Sequence, residues 1–81
     1  MSDPIITIDL HGLFQDEAIK VIDKALKKAD DSTYQIKLIH GYNRGTNLKD
    51  MIFEEYKYHP KVLRIKPGDN LGITILVLRE L

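Results

Sequence analysis

The run Gly72-Ile73-Thr74-Ile75-Leu76-Val77-Leu78-Arg79 is apolar at most positions, and it constrains the fold more than any other stretch of the chain. A strand with one face in water alternates apolar and polar residues, whereas a strand that is apolar on both faces belongs inside a sheet. This run therefore needs a neighbour on each side. Pro67-Gly68-Asp69-Asn70 ahead of it is a turn signal, and Lys61-Val62-Leu63-Arg64-Ile65-Lys66 ahead of that has strand character, so a hairpin supplies one neighbour. The other must come from farther back along the chain.

Two earlier segments qualify. Ile5-Ile6-Thr7-Ile8-Asp9-Leu10 is rich in β-branched residues, with Ile6, Ile8 and Leu10 on one face, and Gly12 ends it. Tyr34-Gln35-Ile36-Lys37-Leu38-Ile39-His40 alternates in the same way. Between them Phe14, Ala18, Val21, Ile22, Ala25, Leu26 and Ala29 recur at spacings of three and four, with Lys20, Asp23, Lys24, Lys27 and Lys28 opposite, which predicts an amphipathic helix. A second helix is expected from Asn47, with Leu48, Met51, Ile52 and Tyr56 as its apolar stripe and His59-Pro60 as its stop. Met51 and Phe53 read as packing residues.

The order is β-α-β-α-β-β. Right-handed crossovers and an interior last strand predict an α/β fold: a four-stranded mixed sheet of order 1-2-4-3, strand four antiparallel. Because both crossovers step the same way, both helices lie on one face, giving a two-layer α+β sandwich. The other face is then open, with Thr7, Lys37, Arg64, Lys66 and Thr74 as candidates for it.

At 81 residues the chain is expected to form one domain, 1–81, with a modest core. It has no cysteine, which excludes disulfides and thiolate metal sites and makes the cytoplasm the expected compartment. No apolar run is long enough to span a bilayer, and Met-Ser-Asp-Pro is not a signal peptide, so no membrane role is expected. Twelve acidic and twelve basic residues cancel, but residues 1–33 carry seven acids against four basic residues, and residues 34–81 carry five against eight. That asymmetry permits a local basic surface for a polyanion and argues against strong, sequence-blind binding of long duplex DNA.

The stretch His40-Gly41-Tyr42-Asn43-Arg44-Gly45-Thr46 is a strand-to-helix elbow. Its glycines allow positive φ and close approach of a ligand, and Thr46 is placed to cap the helix that follows. A helix start together with the Arg44 guanidinium makes a seat for a phosphate, although short βα connections also use Gly and Asn simply to turn. In parallel α/β layouts ligands gather beyond the carboxyl ends of the strands. There the loop Asp9-Leu10-His11-Gly12, the elbow, and the turn from Lys66 to Asn70 should meet.

At these positions the chain resembles a known family. Asp9-Leu10-His11-Gly12-Leu13 is similar to the Leu-Asp-Leu-His-Gly signature of the Smr (small MutS-related) domain. Ile39-His40-Gly41 followed by Gly45-Thr46 and Leu48 resembles that family's His-Gly-x-Gly loop, and Asn70-Leu71-Gly72-Ile73-Thr74 its Asn-x-Gly-x-Thr stretch. One departure stands out: Tyr42, Asn43 and Arg44 separate Gly41 from Gly45, where the family commonly has one intervening residue. The resemblance implies a stand-alone Smr domain with a fold like the C-terminal domain of translation initiation factor three. It also implies nucleic-acid binding and, in several members, endonucleolytic cleavage of DNA or RNA.

A neutral imidazole removes a proton from a 2′-hydroxyl or a water, and an imidazolium protonates a leaving oxygen. His11 is therefore the first catalytic candidate, with Asp9 orienting or supporting it; the alternatives are a histidine that only bonds a neighbouring loop and an aspartate that only braces a turn. His40 is a second acid/base candidate or a residue that holds its loop. Expected nucleic-acid contacts are Gly12, Gly41, Tyr42, Asn43, Arg44, Gly45, Thr46, Lys49 and Lys66, with Tyr42 either stacking on a base or covering the loop. No tightly bound metal is expected, at most a weak divalent-cation requirement. Expected partners are RNA or structured or nicked DNA, with the ribosome or repair proteins as further candidates. The competing expectations are a module that binds nucleic acid without cutting it and a protein-interaction domain using the open sheet face.

Overall fold

The computed structural model describes residues 4–41 and 47–80. Six elements follow the expected order: β1 (Ile5–Asp9), α1 (Gln15–Lys28), β2 (Gln35–Ile39), α2 (Asn47–Tyr56), β3 (Arg64–Pro67) and β4 (Ile73–Val77). The sheet order is β1-β2-β4-β3. β1 and β2 are parallel, with Ile6 opposite Ile36 and Ile8 opposite Leu38, and β4 runs antiparallel to both β2 and β3. The doubly apolar last strand thus lies inside the sheet, as its composition demands.

Register decides which residues form the core. Ile6, Ile8, Ile36, Leu38, Ile65, Thr74 and Leu76 share the face that the helices cover, since the pleat sends alternate side chains to opposite sides. Ala18, Ile22 and Leu26 of α1 and Met51, Ile52 and Tyr56 of α2 meet them in one buried cluster with Leu10 and Val62. Each fully buried Leu or Ile contributes about 2 kcal/mol through apolar burial. The opposite face carries Ile5, Thr7, Asp9, Lys37 and Lys66, no element of the described residues covers it, and Lys37 there pairs with Asp69 at 3.5 Å.

Both ends of α1 are closed by side chains. The Glu17 carboxylate accepts the Phe14 N–H at 3.0 Å at the start of α1, where Asp16 and Glu17 also suit the dipole. At its other end the Lys61 ammonium donates to the carbonyls of Leu26 (2.7 Å) and Ala29 (3.4 Å). The third strand accordingly starts at Arg64, not at Lys61. Lys61 is engaged with α1, and Val62 enters the core from a turn whose N–H bonds the His59 carbonyl. Phe14, which the helical spacing places on the apolar stripe, is 77% exposed because it precedes the first helical turn as the N-cap. Among the described residues no helix is long and apolar enough to cross a membrane.

Candidate nucleic-acid interface

The carboxyl ends of β1 and β2 open onto one rim, together with the start of β4. Parallel pairing of Asp9 with Ile39 and antiparallel pairing of Ile39 with Ile73 put the three loops side by side. The Leu10 N–H donates to the Ile39 carbonyl at 2.7 Å, and the Gly72 carbonyl accepts both the His40 N–H (2.9 Å) and the Gly41 N–H (3.0 Å). The loops are therefore tied to one another by backbone, which fixes the relative height of their side chains.

His11 sits on this rim with its side chain exposed. The Asp9 carboxylate accepts the backbone N–H of His11 at 2.9 Å, an Asx-type turn that sets the direction in which the residue leaves the strand. Its imidazole lies against the second loop: a Cβ placed on Gly41 would be 3.4 Å from His11 Cδ2. Neither ring nitrogen bonds to a described residue. Gly12 and Gly41, at φ 83° and 73°, both occupy the left-handed region that favours glycine. Around Gly12 a Cβ would meet nothing within 4 Å, so backbone conformation alone selects glycine there.

His40 is placed differently. It is buried, its Nδ1 lies 2.7 Å from the Gly41 carbonyl and its Nε2 lies 2.8 Å from Thr74 Oγ1. A carbonyl oxygen only accepts, so Nδ1 carries a proton and donates to Gly41; in the neutral ring Nε2 then accepts from the Thr74 hydroxyl. Both nitrogens are committed to closing the loop. Asn70 completes the frame, its Oδ1 accepting the Gly72 N–H at 2.8 Å. Asn70, Gly72 and Thr74 thus anchor the second loop, a role that reading the residues as a turn and a strand does not reveal. The signal available in the sequence is their regular spacing, Asn-x-Gly-x-Thr.

Asp9, His11, Gly12, His40 and Gly41 therefore converge. Lys66 does not: it pairs with Ile75 at mid-sheet on the open face, three strands from β1 and so more than about 10 Å from the rim residues. Lys49 is exposed in the first turn of α2. Tyr42, Asn43, Arg44, Gly45 and Thr46 lie outside the described residues. Far from the rim, a pocket of about 470 Å³ opens between the last turns of the two helices, lined by Asp23, Leu26, Lys27, Glu55, Tyr56, His59 and Lys61. There the Tyr56 hydroxyl donates to Asp23 at 2.8 Å, and burial, then the Asp23 carboxylate, hold it well above the ordinary tyrosine range. Among the described residues no three His, Asp or Glu side chains group as metal ligands would.

A two-layer sandwich with an open sheet face and a histidine-bearing rim at the strand ends defines a small α/β class. Within that class, the Smr domain family model matches residues 8–79, and the chain belongs to that family. The structure is also similar to the crystal structure of the Smr domain of Thermus thermophilus MutS2, with a TM-score of 0.82 and 26% identity over 93% of this chain and 99% of that one. Comparison with curated proteins finds no match. Smr domains as a family bind nucleic acids, and some members have nuclease activity.

Proposed function

We propose that this domain binds nucleic acid across the rim and cleaves a phosphodiester there, with His11 as the acid/base. One observation carries the reading: the His11 imidazole lies exposed against Gly41 of the neighbouring loop, with both nitrogens unshared among the described residues. In RNA, His11 takes the proton of a 2′-hydroxyl as its oxygen attacks phosphorus. The resulting imidazolium returns a proton to the departing 5′-oxygen, leaving a 2′,3′-cyclic phosphate and a 5′-hydroxyl. In DNA the attacking oxygen comes from water. Asp9 sets the backbone of His11, and His40 with Thr74 and Gly72 holds Gly41 beside it. The elbow with Arg44 would supply positive charge for the phosphoryl oxygens, and Lys49 would contact the backbone farther along.

The test is cleavage of end-labelled single-stranded RNA, single-stranded DNA and nicked duplex, with and without a chelator. His11→Ala should abolish cleavage and keep binding. A variant that cuts like the parent removes His11 from the chemistry.

A second reading, binding without cleavage, is favoured by the Asp9 contact. Asp9 bonds the backbone of His11 and not its ring, and His40 is fully engaged, so among the described residues His11 is the one rim imidazole with unshared nitrogens. Saturable, salt-sensitive binding by the parent with no product on any of the three substrates would select this reading.

A further inference from the structure

We infer that Phe14 is a stacking platform for an unpaired base, so that the rim takes a single-stranded or locally unpaired segment in preference to a continuous duplex. The inference rests on the proposed nucleic-acid role of the rim and names the form of its substrate. Phe14 follows His11 by three residues, at the point where the β1 loop enters α1, and is 77% exposed. A large aromatic side chain at that exposure gains nothing from the core. It also occupies the N-cap, a position where Ser, Thr, Asp or Asn would accept a helix N–H, and it makes no side-chain cap bond. The local rule is thus broken three residues after the working histidine, where an exposed π-face is available to any base.

A second exposed apolar side chain bounds the same rim from the other side. Leu71, 71% exposed, stands in the turn before β4, between Asn70 and Gly72, the two residues that anchor the His40 loop. Topology puts the end of β2, with Gly41, between the end of β1, which leads through His11 to Phe14, and the start of β4, which follows Leu71. Paired bases in a duplex hide their faces in the stack. A strand whose bases are free lays one on the ring of Phe14 while its phosphate lies at His11, and Leu71 offers apolar contact to a base beyond. Because ring stacking is indifferent to base identity, the platform selects for strandedness and not for sequence.

The chain has no tryptophan, so Phe14→Trp introduces a single indole reporter at this position. Titrated with a single-stranded oligonucleotide, this variant should bind at least as tightly as the parent, and its emission should be quenched saturably. The same sequence as a blunt duplex should quench it weakly. Phe14→Thr supplies the missing cap hydroxyl and should fold at least as stably as the parent, yet bind the single strand about tenfold more weakly. The salt dependence of that binding should keep the parent's slope, since no phosphate contact is lost. Equal single-strand affinity of Phe14→Thr and parent, or an indole whose emission ignores the oligonucleotide while anisotropy reports binding, overturns the platform and leaves the rim's nucleic-acid role standing. Absence of nucleic-acid binding by the parent overturns both.

Discussion

The loops after β1 and β2 occupy equivalent places, each at the carboxyl end of one of two parallel neighbours, and each carries a histidine beside a glycine of positive φ. Their imidazoles have opposite fates. His40 is buried with Nδ1 on the Gly41 carbonyl and Nε2 on Thr74, while His11 is exposed with its ring edge on Gly41. The buried ring has no nitrogen left for a substrate, and the exposed one shares neither nitrogen with a described residue. The difference teaches that one motif histidine builds the surface on which the other can act.

That division can be broken from either side. The largest expected effect is on activity: His11→Ala should lower cleavage by about 100-fold or more, with unfolding free energy within about 0.5 kcal/mol of the parent, because its side chain is exposed. His40→Ala should do the reverse first. Removing the ring strands the Thr74 hydroxyl and the Gly41 carbonyl, and urea unfolding should report a loss of about 2 to 3 kcal/mol. If His40→Ala left stability untouched and abolished only cleavage, the two roles would have to be exchanged.

The glycines sharpen the contrast. Gly12→Ala and Gly41→Ala each force a Cβ into the left-handed region, at a cost of about 1 kcal/mol. Only at Gly41 does the added carbon meet the imidazole, at 3.4 Å from Cδ2. Gly41→Ala should therefore impair cleavage more than Gly12→Ala at similar loss of stability. The smallest effect belongs to the far end of the molecule. Tyr56→Phe removes a hydrogen bond to Asp23 and should cost about 1 kcal/mol with no change in nucleic-acid binding. The parent's Tyr56 is harder to ionise folded than unfolded, so its contribution is intact below about pH 10 and is lost above it. Alkaline unfolding curves of parent and Tyr56→Phe should converge accordingly.

The sheet was legible because its order follows from local facts: one doubly apolar run, one hairpin turn and two helical stripes. The third strand is shorter than its sequence suggests, since Val62 and Leu63 mimic strand alternation, whereas Val62 fills the core from a turn and Lys61 closes α1. Spacing alone puts Phe14 on the helical stripe, because it does not distinguish a first-turn residue from the cap before it. The convergence of Asp9, His11 and Gly41 was legible from parallel pairing. The burial of His40 was not, because its partner Thr74 lies 34 residues away and the bond exists only once β2 and β4 pair. Lys66, grouped with the rim by its place near a turn, lies at mid-sheet through strand register. The elbow residues Tyr42 to Thr46 remain outside the described residues.

The most direct test of the rim as the working surface is a ¹⁵N-resolved NMR titration with a single-stranded oligonucleotide, following backbone amides and histidine side chains together. Saturable shifts at His11, Gly12 and Gly41, with Asp23, Tyr56 and Lys61 unmoved, are the predicted result. Shifts confined to the pocket between the helix ends, with His11 and Gly41 silent, would contradict it.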